Sequence, residues 1–284
     1  MVTTERMPTL SFTTLTAPGA TPSRWMLVLH GILGSGANWR TFAKRILDAR
    51  PEWGAALVDL RNHGQSTGFV APHTLAAASA DLDGVMAELP GPVEAVLGHS
   101  YGGKVAMQTV ARLQGNLTAA WIFDSAPGAR PDGRGSEAVF QVLRALKQLP
   151  ALIPSREAFH ATLEAEGVSH ALRQWLAMNV RADGDAYRFR IDLDAVEDML
   201  DDYWAQDLWP VLEDPPGRVR MHAVLGGRSS VWSAADRARV QSAAAARPDR
   251  LRVHILEEAG HWVHVDDPEG LLHVVRAHLP GVDG

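Results

Sequence analysis

A serine set between glycines, Gly98-His99-Ser100-Tyr101-Gly102, stands between an apolar run and a stretch compatible with a helix. That context suits a nucleophile elbow, a sharp strand-to-helix turn that pushes the serine hydroxyl out over the end of a sheet. Glycines flank such a turn because a Cβ there would strike the neighbouring strand or helix. A serine hydroxyl is a weak nucleophile and needs a base. The base needs a third group to fix its tautomer and stabilise the imidazolium. An elbow of this kind has its partners in the order Ser, acid, His, so the base should be a late histidine. Ala259-Gly260-His261-Trp262-Val263-His264 supplies two candidates. His261 directly follows Gly260, in a turn that can carry an imidazole to the serine, and is assigned the base. His264 is read as a packing or hydrogen-bonding residue.

Two carboxylates compete for the third role. The usual place is the loop after the strand at 221–225, which reads Gly226-Gly227-Arg228-Ser229-Ser230-Val231-Trp232-Ser233 and holds no acid until Asp236. Asp236 lies among Ala234, Ala235 and Ala238, as at a helix start, where capping is its ordinary use. Asp124 ends the strand after the elbow helix, beside the elbow itself, and a charge next to an apolar strand needs a partner. Asp124 is favoured and Asp236 is the runner-up. Asp59 also ends a strand, but reads as a brace for the Arg61-Asn62-His63-Gly64 loop. The oxyanion of a tetrahedral intermediate needs preorganised donors. The backbone N–H groups of Tyr101 and of Ile32, in His30-Gly31-Ile32-Leu33-Gly34, are the candidates. Gly31, Gly34 and Gly36 lack the spacing of a dinucleotide loop and no P-loop lysine and serine follow. His99 and His30 read as structural. The histidines show no His-Glu-x-x-His motif and no compact ligand spacing, so no metal and no cofactor are implied.

These residues need a scaffold of a particular kind. Short apolar runs at 25–29, 55–58, 93–97, 119–123, 221–225 and 251–256 predict buried strands. Helical spacing at 39–47, 75–89, 104–113 and 268–279 predicts helices between them. The alternation predicts an α/β fold with a mostly parallel sheet covered on both faces. Its working residues belong at the carboxyl ends of strands. Residues 125–217 break the rhythm. Helices are predicted at 138–146, 156–165, 169–178 and 195–203, residues 186–191 are ambiguous, and prolines punctuate the segment. The expected organisation is a core of residues 1–124 and 218–284 with a helical cap, 125–217, inserted between late strands.

With 284 residues, 46% of them hydrophobic and 21% charged, the chain can bury a large core. A formal charge of -6 and the lack of a basic block argue against nucleic acid as a partner. There are no cysteines, which excludes disulfides, thiolate metal sites and a cysteine nucleophile. No apolar stretch is long enough to span a membrane and no targeting pattern opens the sequence, so a cytoplasmic monomer or homodimer is expected.

At these residues the chain resembles the α/β-hydrolase superfamily. Within it the likeness is to the group that includes abhydrolase-domain-11-like proteins, small bacterial acyl esterases and related plant α/β hydrolases. The resemblance rests on Leu29-His30-Gly31-Ile32-Leu33-Gly34-Ser35, on Val58-Asp59-Leu60-Arg61-Asn62-His63-Gly64-Gln65-Ser66 and on Gly98 to Lys104. Phe123-Asp124-Ser125-Ala126-Pro127-Gly128 and Gly260-His261-Trp262-Val263-His264 complete it, and the likeness to the plant group extends to Leu149-Pro150-Ala151-Leu152-Ile153-Pro154-Ser155-Arg156. It implies the acid at Asp124. Plant-like relatives often carry aspartates where this chain has Ser230 and Ser233, and many relatives carry Met where it has Tyr101. Tyr101 would narrow the acyl pocket, offer a hydroxyl to substrate, or simply pack under the cap.

The implied reaction is hydrolysis of a small-molecule ester or acyl thioester through an acyl-enzyme on Ser100. Cap aromatics such as Trp175, Tyr203, Trp204 and Trp209 are candidates for an apolar acyl site. A C–C bond hydrolase or a haloperoxidase-like enzyme would use a similar elbow. A noncatalytic small-ligand-binding protein would be expected to lose Ser100 or His261. Dehalogenases and epoxide hydrolases place an aspartate where Ser100 stands.

Overall fold

Runs of Val, Leu, Ala and Trp form strands that are buried on both faces, as a parallel sheet under two helix layers requires. The computed structural model describes residues 8–130 and 137–281; residues 1–7, where a targeting signal was sought, lie outside them. In chain order the strands are β1 (Phe12–Leu15), β2 (Arg24–Leu29), β3 (Trp53–Val58), β4 (Val93–His99), β5 (Ala119–Phe123), β6 (Val180–Asp183), β7 (Ala186–Phe189), β8 (Arg220–Gly226) and β9 (Leu251–Leu256). Seven of them make one sheet in the order β1-β3-β2-β4-β5-β8-β9, parallel except for β1, which pairs antiparallel with β3. From β2 the chain builds outward first through β3 and then, in the other direction, from β4 onward. The sheet therefore switches direction between β2 and β4, and a crevice opens at their carboxyl ends.

Helices α1 (Arg40–Ala49), α2 (Leu75–Glu88), α3 (Tyr101–Leu113), α4 (Glu137–Lys147), α5 (Arg156–Ala165), α6 (His170–Leu176), α7 (Leu193–Ala205), α8 (Trp209–Glu213), α9 (Ala234–Ala246), α10 (Val263–Asp266) and α11 (Pro268–His278) complete the chain. Phe42, Ala43, Ile46 and Leu47 of α1 and Leu271, Leu272 and Val275 of α11 cover one face of the sheet. Leu75, Leu82 and Val85 of α2, Val105 and Val110 of α3, Leu212 of α8 and Val240 of α9 cover the other. The i, i+3, i+4 spacing of the α1 set is what lets one helix face do this.

The segment between β5 and β8 has its own apolar cluster, with Val142, Leu146, Phe159, Leu163, Val196 and Leu200 packed around Leu33 of the β2 loop. The ambiguous residues 186–191 contain β7, which pairs with β6 as a hairpin, and Ile153 bridges to Tyr187. β1, β6, α8 and α10 are not among the elements that the sequence predicts. Each is short, and Pro210 inside α8 sits in the first turn, where a missing N–H costs nothing.

The loop after β3 is braced by Arg61. Arg61 is 6% exposed and donates from Nε and Nη2 to Asp81 at 2.7 and 3.1 Å, with its guanidinium over the Phe69 ring. Arg61→Met would leave Asp81 without its cation. Breaking a buried pair in this way costs about 3 kcal/mol, or roughly 6–12 °C in Tm for a chain of this size. Thermal unfolding followed by circular dichroism checks it.

Candidate active site

Ser100 is the N-cap of α3 with φ 52° and ψ −116°, a left-handed conformation that a residue with a Cβ adopts only under constraint. The constraint is visible on both sides. The Ser100 N–H donates to Phe123 O at 3.0 Å, and the Ser125 hydroxyl donates to Ser100 O at 2.6 Å. A methyl on Gly98 would stand 2.1 Å from Gly102 O, and one on Gly102 would stand 2.5 Å from His30 O. The elbow glycines are thus demanded by the approach of β4, α3 and the β2 loop. Strand register explains the meeting: Leu29 is opposite Gly98, and His99 is opposite Phe123.

Asp124 follows β5 directly, is fully buried and has φ 41°. Its Oδ2 accepts from His261 Nδ1 at 2.7 Å and from the Ser229 hydroxyl at 2.5 Å, while Oδ1 accepts from Gly226 N at 3.0 Å. A carboxylate on Nδ1 places the ring proton there and leaves Nε2 as the acceptor of the neutral imidazole. His99 supports the same loop, donating from Nε2 to His261 O at 2.8 Å. Burial holds the His99 ring well below the usual histidine range, with His261 and His264 adding to the effect. His264 packs against the Trp39 ring with centroids 4.3 Å apart, and burial lowers its pKa to about 4.

Asp236 is engaged elsewhere. It forms a capping box with Ser233 at the start of α9 and pairs with Arg130 at 3.1 Å. The two carboxylates weighed in the sequence are therefore separated by their contacts: only Asp124 is hydrogen-bonded to His261.

Ile32 lies in the turn after β2, closed by Gly34 N donating to Gly31 O at 3.0 Å. A methyl on Gly31 would be 3.3 Å from Ser100 Cβ, so this loop borders the serine. Leu33 has φ 61° and is held by His63, whose Nε2 accepts from Leu33 N at 3.0 Å. His30 Nε2 accepts from Leu60 N at 2.9 Å. Both rings must be neutral to accept in this way, and burial lowers them to about 4 at His30 and about 3 at His63. Asp59 Oδ1 accepts from Gly36 N and Oδ2 from Gln65 N, so it braces these loops as its position implied. Tyr101 opens α3, where a first-turn N–H has no acceptor within the helix.

Ser100, Tyr101, Ile32 and His261 all line one cavity of about 330 Å³. Among the described residues the Ser100 hydroxyl makes no hydrogen bond, including none to the His261 ring; without substrate such contacts are commonly long. Trp175, Tyr203, Trp204, Val142 and Leu172 from the β5–β8 segment line the same cavity, as do Trp262 and His264. Trp209 is a correction. It is 3% exposed and packs in the core against Trp232, because α8 lies on α3 and α9 rather than over the cavity. The Tyr101 side chain is 1% exposed, its ring is 6.1 Å from that of Tyr203, and its hydroxyl has no hydrogen-bond partner among the described residues. Burial pushes its pKa above the usual phenol value.

Sequence reasoning missed three supporting residues. Ser229 stands in the loop searched for an acid and instead donates to the Asp124 carboxylate that follows β5. Ser125 braces the elbow. Lys104 is 1% exposed and donates from Nζ to Gly128 O, Tyr203 O and Gln206 O at 2.9, 2.7 and 2.8 Å, tying α3 to both ends of the β5–β8 segment. Burial, with Arg130 nearby, lowers its pKa to about 8. A lysine inside the apolar pattern of the elbow helix was the available signal. A second correction concerns the histidines: His222, His254 and His278 come together, because β8 and β9 are neighbours and α11 ends beside them. Their separation along the chain hid this.

Comparison with known proteins agrees with the fold. The sequence model of the Alpha/beta hydrolase family matches residues 26–274. The mouse sn-1-specific diacylglycerol lipase ABHD11 is 27% identical over 278 residues, which are 95% of this chain and 85% of that protein. Esterase YbfF of Escherichia coli is 25% identical, with 89% of this chain and 92% of that protein covered. Among solved structures, a marine microorganism esterase superposes with a TM-score of 0.82 at 23% identity, over 96% of this chain and 100% of its own. Among the described residues no helix is long and apolar enough to cross a membrane.

Proposed function

The chain belongs to the alpha/beta hydrolase family, and from that premise we propose that it is a serine hydrolase of carboxylic esters or acyl thioesters. The observation that carries the proposal is the buried Asp124 carboxylate on His261 Nδ1 at 2.7 Å, beside a cavity that Ser100 also lines. In this reading Ser100 Oγ attacks the acyl carbonyl while His261 Nε2 takes its proton. Asp124 holds the tautomer and stabilises the imidazolium. The backbone N–H groups of Ile32 and Tyr101 receive the oxyanion. The intermediate collapses, His261 protonates the departing alcohol or thiol, and water repeats the cycle on the acyl-enzyme to release the acid.

The 125–217 segment acts as a cap in this proposal, and its Trp175, Tyr203 and Trp204 form the wall that receives an apolar acyl chain. The name of the mouse relative puts acylglycerols among the esters to be tried. The test is intact mass after treatment with a fluorophosphonate, with turnover measured on p-nitrophenyl esters of graded chain length, acyl-CoAs and a diacylglycerol. One adduct, mapped to Ser100, together with release of acid from at least one of these substrates, is expected. An unlabelled chain, or an adduct mapped to another residue, would sink the reading.

A further inference from the structure

Away from the cavity, near the amino end of the sheet, three imidazoles meet. His222 of β8 is fully buried, with the Trp121 ring against it at 4.9 Å and 11°. His254 of β9 and His278 at the end of α11 are partly exposed. His222 Nδ1 and His254 Nε2 are 3.0 Å apart, and His278 lies with its ring centroid 5.1 Å from each of the other two. Each ring offers one nitrogen within 4.8 Å of those of its neighbours. His222 Nε2 is buried with no hydrogen-bond partner among the described residues. The His222 nitrogen that faces the other rings is Nδ1, and Nε2 is left to carry the ring proton.

We propose that His222, His254 and His278 form a binding site for a divalent first-row transition metal, of the zinc or cobalt type, with water as the fourth ligand. Imidazole nitrogens suit these ions, whereas magnesium and calcium require oxygen ligands that this group does not offer. Metal–nitrogen bonds of about 2.0–2.1 Å in a tetrahedral site put the nitrogens about 3.3 Å apart. The 3.0 Å pair is already near that spacing, and the third nitrogen needs to close by at most about 1.5 Å from its 4.8 Å bound. His254, on the edge strand, and His278, at a helix end, have the freedom to do so.

An access route is present. A groove lined by Gln241, Ala245, Pro248, Arg252, His254 and His278 runs along the free edge of β9. Burial lowers the pKa of His222 to about 2 and of His254 to about 4, and lowers that of His278, so the rings carry free lone pairs at neutral pH. For both nitrogens of the His222–His254 contact to ligate, the proton between them moves to the other nitrogen of its own ring, so each imidazole stays neutral with one N–H. Arg220 and Arg252 are close enough to repel a cation. The affinity is therefore expected to fall below that of structural zinc sites. The bound ion would join β8, β9 and α11 and so stabilise the folded chain by linkage. None of this depends on the reaction at Ser100.

The test uses the full chain without an affinity tag, stripped with chelator and titrated with Zn²⁺ by calorimetry and with Co²⁺ by visible absorption. One equivalent is expected at this site, with the intense d–d bands of four-coordinate cobalt and a rise of several degrees in Tm in excess Zn²⁺. His254→Gln and His278→Gln, both at partly exposed positions, are each expected to weaken binding by at least about tenfold and to shrink the Tm rise. Their circular dichroism and p-nitrophenyl ester turnover stay as in the wild type. His261→Gln, the control for the other imidazoles at the cavity, leaves this equivalent in place. Absence of binding at millimolar Zn²⁺ would overturn the proposal. So would binding that survives undiminished in the His254→Gln, His278→Gln double variant, or that is lost only in His261→Gln.

Discussion

Ser100→Ala is expected to lower kcat for a p-nitrophenyl ester by about 10⁶-fold, to the level that binding and oxyanion donors alone sustain. The magnitude follows from the interdependence of the catalytic group. Without the nucleophile, His261 has no proton to take and Asp124 no imidazolium to stabilise, and the residual rate of about 10³–10⁴ over water comes from the backbone donors and binding. Stability is expected to stay near that of the wild type. Ala keeps a Cβ at φ 52°, so the backbone strain at the elbow is unchanged, and the lost hydroxyl makes no hydrogen bond among the described residues. Steady-state kinetics, intact-mass labelling and thermal unfolding on the same preparation separate the two effects. Labelling of Ser100→Ala at the wild-type rate would remove the serine from the chemistry.

Asp124→Asn is expected to lower kcat by about 10⁴-fold with KM little changed, whereas Asp236→Asn stays within tenfold of the wild type. An amide at position 124 that turns its NH₂ toward His261 Nδ1 favours the wrong tautomer, and in either orientation it leaves the imidazolium without its counter-charge. The same carboxylate also accepts from Ser229 Oγ and Gly226 N, so Asp124→Asn is expected to lower stability as well. Asp236→Asn loosens only a helix start and a partly exposed pair with Arg130. Kinetics on both variants at a temperature where each is folded decide the matter. Equal activity in the two would dismiss Asp124 as the acid.

Much of the site was legible because its rules are local. A glycine pair around a serine, an apolar run before it and a helix after it are features of adjacent residues. The structure shows the steric reason in the 2.1 Å approach that a methyl at Gly98 would make to Gly102 O. The late histidine was legible for the same reason, since Gly260-His261 follows a strand of plain apolar pattern. The buried strands were readable from composition, and β1, β6, α8 and α10 were not, because a handful of residues carries too little periodicity.

By itself, then, the sequence determined the strand-helix alternation and the glycine-flanked turn at Ser100, and it offered His261 as the candidate base, all from features of adjacent residues. Tertiary structure decided what depends on strand order. It joined Asp124 to His261 across 137 positions and to Ser229 across 105, and it assigned Asp236 to a helix cap. It buried Lys104 against carbonyls of the segment beyond β5, took Trp209 out of the cavity and gathered His222, His254 and His278. Pairs like these are made when distant segments pack as neighbours in the sheet and its helix layers, and no spacing along a single chain encodes which segments those will be.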